Sequence, residues 1–210
     1  MDRETVKLVS KETSAKIIEH VTKIISGVDA LIISDYGKGV LPEGTISAII
    51  SSAKKEDIPV IVDPKGKDYS RYRGATLITP NQREQAEASH MSLEGNGDIG
   101  EAAKKISEEN GIANVLVTRS SEGMTLVTKD KVEHLSAEAQ EVFDVSGAGD
   151  TVVSFIAAGL ASSLKIEEVV EIANLAAGVV VNKTGTSVAH LSEVLLSINK
   201  NNYHLSKVMD

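Results

Sequence analysis

Asp144-Val145-Ser146-Gly147-Ala148-Gly149-Asp150-Thr151 runs directly into Val152-Val153-Ser154-Phe155-Ile156-Ala157-Ala158-Gly159-Leu160, and this junction decides how the chain reads. Glycine-flanked turns and a carboxylate stand where a nearly all-apolar helix begins. Glycine lets backbone N–H groups come close to a charged ligand because no Cβ intervenes. A helix N-terminus adds partial positive charge from its unpaired donors. The junction is therefore expected to hold an anion at Gly147, Ala148 and Gly149, beside an acid, Asp150, that can take a proton from an attacking hydroxyl. That pairing suits phosphoryl transfer, where positioning and charge stabilisation dominate. The bland alternative is a turn that only lets the helix pack closely on a sheet. Gly147, Gly149 and Val152 lack the third glycine of a dinucleotide fingerprint, and no Gly-Lys-Ser or Gly-Lys-Thr follows as in a Walker loop.

Outward from the junction, short apolar runs alternate with helical patterns. Strands are expected at Ala30–Ile33, Pro59–Val62, Ala75–Thr79 and Asn114–Thr118, with a hairpin through Met124–Val127 and Val132–Leu135. Helices are expected at Ser14–Ile25, from Pro42 through Ile50, and at Gln82–Ser89, Asp98–Glu109, Gly149–Ser163, Ile166–Val181 and Ser192–Ile198. Continuous apolar strands between helices imply an α/β fold with a mostly parallel sheet covered on both faces. Ligands of such sheets sit beyond the carboxyl ends of the strands. Asp35, Asp63, Asn81 and Thr118 each stand just after a strand and should converge on one edge. The segment from Asn199 to Asp210 reads as a frayed tail, with Tyr203 and Leu205 as candidates to dock.

The whole chain narrows the classes. At 210 residues it fits one domain or part of a larger one, and a formal charge of −8 leaves no basic stripe for nucleic acid. Without cysteine there is no disulfide, thiolate nucleophile or cysteine metal site, which agrees with a reducing cytoplasmic setting. The charged start Met1-Asp2-Arg3-Glu4 does not read as a signal peptide, and no apolar run approaches the ~20 residues of a membrane span.

With its elements in order, the chain resembles the PfkB/ribokinase family of carbohydrate kinases. The junction matches the family's Gly-Ala-Gly-Asp turn, and Asn81-Gln82-Arg83-Glu84 matches its Asn-x-x-Glu motif. The resemblance implies a ribokinase-like three-layer α/β/α fold, with Asp150 as general base and the amides of Gly147, Ala148 and Gly149 as anion hole. It implies ATP and magnesium, with Asn81 and Glu84 organising the ion and phosphates through water. Taken alone, Asn-x-x-Glu is equally a helix cap. Thr118, Arg119, Ser120 and Gly123 correspond to the nucleotide-binding strand end and turn; Asn174, Gly185 and Thr186 correspond to the region flanking adenine. Asp144 and Ser146 align with positions that bind a monovalent cation, K+, in some relatives.

Longer stretches are similar to the kinase domain of ADP-heptose synthesis proteins, which acts on the anomeric hydroxyl of heptose 7-phosphate in lipopolysaccharide precursor synthesis. They are Ser34-Asp35-Tyr36-Gly37-Lys38-Gly39, Asp63-Pro64-Lys65-Gly66 and Arg71-Tyr72-Arg73-Gly74-Ala75-Thr76. Substrate phosphate needs cations, so Lys38, Lys65 and Arg73 are the candidates, with Asp35 as a further substrate contact. Relatives begin upstream with further strands and a β-lid, so residues 1–210 are expected to be one incomplete kinase domain, its ATP-binding C-terminal portion. An uncovered sheet edge invites pairing with another chain, and a homo-oligomer is expected. Two alternatives stay open: a catalytically silent nucleotide-binding module, and a subunit that completes its sheet with a partner. A Rossmann-type dehydrogenase is a distant further reading.

Overall fold

The computed structural model describes residues 6–138 and 144–200. Its helices are α1 (Lys11–Ile24), α2 (Glu43–Lys55), α3 (Gln82–Ser89), α4 (Asn96–Asn110), α5 (Ala148–Ala161), α6 (Ile166–Val181) and α7 (Leu191–Lys200). Its strands are β1 (Leu31–Ser34), β2 (Val60–Asp63), β3 (Leu77–Ile78), β4 (Val115–Thr118), β5 (Met124–Val127) and β6 (Val132–Leu135). The six strands lie side by side in chain order, with β1 to β4 paired in parallel and β5–β6 a hairpin closed at Thr128 and Lys131.

Two compact units divide the chain. The first holds residues 6–118 and 125–133; the second holds 119–124, 134–138 and 144–200. The division passes through the β5–β6 hairpin.

In the first unit the middle strands are apolar on both faces. Val60, Ile61 and Val62 of β2 and Val115, Leu116 and Val117 of β4 are all buried, as parallel strands under helices must be. Their core includes Ile46, Ile49 and Ile50 of α2 and Ile99, Ala103 and Ile106 of α4. Burial of each such aliphatic side chain contributes roughly 1.5–3 kcal/mol. β1 lies at the outer end of the strand order, where Ile32 stays 42% exposed.

In the second unit α5 packs on α6, with Gly159 set against Val169: a Cβ there would lie 2.5 Å from a Val169 methyl. Leu175 and Ala176 of α6 and Val194 of α7 form a further cluster with Phe155, Ile172 and Val179. Helix α7 reaches Lys200, so Asn199 closes a helix, while the tail with Tyr203 and Leu205 lies outside the described residues. Among the described residues no helix is long and apolar enough to cross a membrane.

Candidate active site

The carboxyl ends of the first unit's strands come together as the sequence led us to expect. Ser34 pairs with Asp63 in the β1–β2 ladder, and the Asp35 amide donates to the Asp63 carbonyl at 3.0 Å. Asn81 forms a parallel bridge with Thr118, whose amide donates to the Pro80 carbonyl at 3.0 Å.

Helix α3 begins on this edge with a full capping box. Asn81 Oδ1 accepts from the Glu84 amide at 2.9 Å, and Glu84 Oε2 accepts from the Asn81 amide at 3.1 Å. The second Glu84 oxygen accepts from Lys65 Nζ at 2.7 Å. That bond, and the Glu84 charge behind it, raise the Lys65 pKa above the ordinary lysine value. The motif residues are thus bonded to one another, and Lys65 is tied to Glu84 within the protein. Lys38 stands beside Tyr36, its ammonium 5.7 Å from the ring centre.

Two substrate expectations change. Arg73 precedes β3 instead of following a strand, so it belongs to the amino ends of the strands. There it donates to the Glu109 carbonyl at 3.2 Å, in the last turn of α4, where free carbonyls and the helix dipole favour a cation. Asp35 is buried, and both its oxygens are taken by the protein. Oδ1 accepts from the Gly37 amide at 2.8 Å, and Oδ2 from the Tyr72 hydroxyl at 2.7 Å, with the Arg71 guanidinium at 3.4 Å. It ties the loop after β1 to Tyr72 and Arg71. Neither Arg71 nor Tyr72 had been picked out from the sequence. Their partners, Asp35 and Leu41, lie far along the chain, so no local pattern marks them.

The second unit presents the glycine junction. Gly147, at φ +81, is the N-cap of α5, and its carbonyl accepts from the Thr151 amide and hydroxyl. Asp144 clips this turn to the loop after α6: Oδ1 accepts from the Ser146 amide at 2.8 Å and Oδ2 from the Gly185 amide at 3.2 Å. The bonds from Ser146, and then that from Gly185, lower the Asp144 pKa. Thr186 lies alongside, so close that a Cβ on Gly147 would be 3.4 Å from its methyl. Residues distant in sequence are therefore one constellation: Asp144, Ser146, Gly147, Gly185 and Thr186.

Of the anion-hole amides, that of Ala148 already closes the turn onto the Val145 carbonyl at 3.2 Å. Gly149 differs. A Cβ built on it meets no atom within 4 Å among the described residues, so packing gives no reason for glycine there. Asp150 follows in the first turn of α5, exposed, and its carboxylate has no hydrogen-bond or ion-pair partner among the described residues. An open glycine beside an uncommitted acid at a helix N-terminus is a place where an anion can approach.

The remaining nucleotide candidates have internal work. Asn174 is buried on α6 and donates to the Ser136 carbonyl at 2.8 Å. Arg119 is buried and ion-paired with Glu122, and its amide donates to the Gly123 carbonyl at 2.8 Å. Ser120 opens that 3-10 turn with φ +52. Gly123 ends it at φ +88 and ψ −127, where a Cβ would fall 2.0 Å from the Leu135 carbonyl oxygen. Glycine there is a backbone requirement.

As for metals, no group of three or more His, Asp or Glu side chains is arranged to hold an ion among the described residues. Asp144 Oδ1 and Oδ2 each accept one backbone amide, which leaves a lone pair on each oxygen.

A mostly parallel α/β sheet with a glycine turn and an acid opening a helix defines a class: proteins that handle phosphorylated ligands at strand and helix ends. The chain belongs to the pfkB family of carbohydrate kinases, whose family model matches residues 3–192. It is 43% identical to the bifunctional protein HldE of Paramagnetospirillum magneticum, over 98% of this chain and 42% of the relative. To the HldE of Mesorhizobium japonicum it is 40% identical, over 100% of this chain and 43% of the relative. The chain thus spans about two fifths of the length of these curated relatives. In fold it is similar to Escherichia coli phosphofructokinase-2 in complex with potassium, with a TM-score of 0.82 and 23% identity over 93% of this chain and 64% of that one. Arabidopsis thaliana ribokinase complexed with ribose and ATP gives a TM-score of 0.74 and 23% identity, over 92% of this chain and 61% of that one. The fold is ribokinase-like.

Proposed function

We propose that this chain is the nucleotide-handling portion of a sugar kinase that transfers the γ-phosphoryl group of ATP to the anomeric hydroxyl of D-glycero-D-manno-heptose 7-phosphate. The observation that carries the reading is the uncommitted Asp150 carboxylate in the first turn of α5, next to the open Gly149. In the second unit, Asp150 takes the proton of the attacking hydroxyl, and the amides of Gly147 and Gly149 face the developing charge. Such preorganised donors act where charge appears in the transition state. Asp144 keeps that turn and the Gly185–Thr186 loop in register. In the first unit, Asn81 and Glu84 would hold magnesium through water, and the ion would offset the charge of the nucleotide phosphates. The identity with HldE proteins over nearly the whole chain supports the heptose phosphate as acceptor. The two units are read as parts of one kinase domain, acting in the cytoplasm as a homo-oligomer.

The test is calorimetry with Mg·ATP, followed by ADP release on adding heptose 7-phosphate. Binding with acceptor-dependent ADP formation is expected. Binding without ADP formation favours a silent nucleotide-binding module, and absence of binding removes both readings.

A further inference from the structure

The strand ends of the first unit are joined by one side chain that neither family motif contains. Tyr72 ends a 3-10 turn, Ser70–Tyr72, and is fully buried. Its hydroxyl donates to Asp35 Oδ2 at 2.7 Å and accepts from the Lys65 amide at 3.0 Å. The single proton goes to the charged carboxylate at 2.7 Å in preference to the Lys65 carbonyl at 3.2 Å, since charge-assisted bonds are the stronger. Lys65, its backbone fixed this way, delivers Nζ to Glu84 Oε1 at 2.7 Å. Gly37, whose amide is bound to Asp35 Oδ1, lies against the Lys65 stem, since a Cβ on it would be 3.4 Å from Lys65 Cγ. The loop after β1, the loop after β2 and the start of α3 thus meet through one phenol oxygen.

We propose that Tyr72 is a positioning residue that holds the loop after β2 so that Lys65 fixes the Glu84 carboxylate for the metal–nucleotide complex. The proposal rests on the kinase reading for its ligand, and on geometry alone for the tether. Tyr69 supplies the control. It is equally buried, its ring is 5.7 Å from that of Tyr72, and its hydroxyl has no hydrogen-bond partner among the described residues.

The experiment compares Tyr72→Phe and Tyr69→Phe by amide hydrogen exchange and by calorimetry with Mg·ATP. Tyr72→Phe should speed exchange at Lys65, Gly66 and Glu84 by about tenfold, leave α1 and α2 unchanged, and weaken Mg·ATP by about tenfold. Tyr69→Phe should leave both readouts within about twofold. Unchanged exchange and affinity in Tyr72→Phe, or equal changes in Tyr69→Phe, overturn the proposal. If Tyr72→Phe does not fold, Lys65→Met decides. It should weaken Mg·ATP by a similar factor without altering exchange at Asp35–Gly37, and full affinity overturns the tether. If the unsubstituted chain binds no Mg·ATP, the kinase reading fails, and the exchange result alone decides whether Tyr72 holds the loop.

Discussion

The two units fix their loops by opposite means. At the strand ends of the first, polar side chains satisfy one another: Asp35 with Tyr72 and Arg71, Lys65 with Glu84, Glu84 with Asn81. In the second, the loops rest mainly on backbone bonds and glycine geometry, with charged clips at Asp144 and Glu193. The carboxylates named in the first unit are all bonded to protein groups. A turn that leaves Asp150 uncommitted keeps a group available for chemistry.

The sharpest way to break this contrast is Asp150→Asn. If that acid is the uncommitted base, turnover should fall by about 10²–10⁴ while Mg·ATP affinity stays nearly unchanged. Steady-state ADP release and calorimetry check it, and full activity would leave the second unit without a chemical role for its exposed acid. Next in size is Gly123→Ala. Its φ and ψ are closed to L side chains and a Cβ would meet the Leu135 carbonyl, so a loss of about 3 kcal/mol is expected in chemical denaturation. A small loss would mean that the turn relaxes and that the unit relies less on its glycines. The mildest effect concerns Glu193, which accepts from Lys183 Nζ at 2.7 Å and from the His190 amide at 2.9 Å. The Lys183 bond, then the His190 amide, lower its pKa. A depressed carboxylate contributes stability above its ordinary value, and that contribution is lost as pH falls through the lowered one. Below about pH 4.5 the thermal stability of Glu193→Gln should therefore depend less on pH than that of the parent chain. Parallel melting curves would show that the clip is not charged in the way described.

Most of the architecture was legible because buried parallel strands announce themselves. Val60–Val62 and Val115–Val117 are uninterrupted β-branched and leucine runs, and both are strands. The boundaries that moved did so at caps. Helix α1 starts at Lys11 and not Ser14, because the Ser10 side chain accepts from the Thr13 amide ahead of the apolar stripe. Strand β3 shrinks to Leu77–Ile78, because the turn around Tyr72–Ala75 takes up the residues before it. At the site, the left-handed turn at Gly147 and the capping box of Asn81 and Glu84 could be read from local pattern. Arg73, read from its charge as a phosphate candidate, stands before a strand and bonds the last turn of α4. Tyr72 and Arg71 stayed hidden because their partners, Asp35 and Leu41, lie far along the chain, and such pairings appear only after folding.

Gly149 carries one more consequence. Its missing side chain leaves space that none of the described residues fills, so packing among them places no demand on that position. A methyl group there would cost the folded state little, yet it would stand in the path of whatever approaches the start of α5. On the proposed function, folding and ligand approach would then exert separate pressures on two glycines flanking Ala148. Gly147 answers to the backbone, whereas no packing contact among the described residues asks for glycine at Gly149.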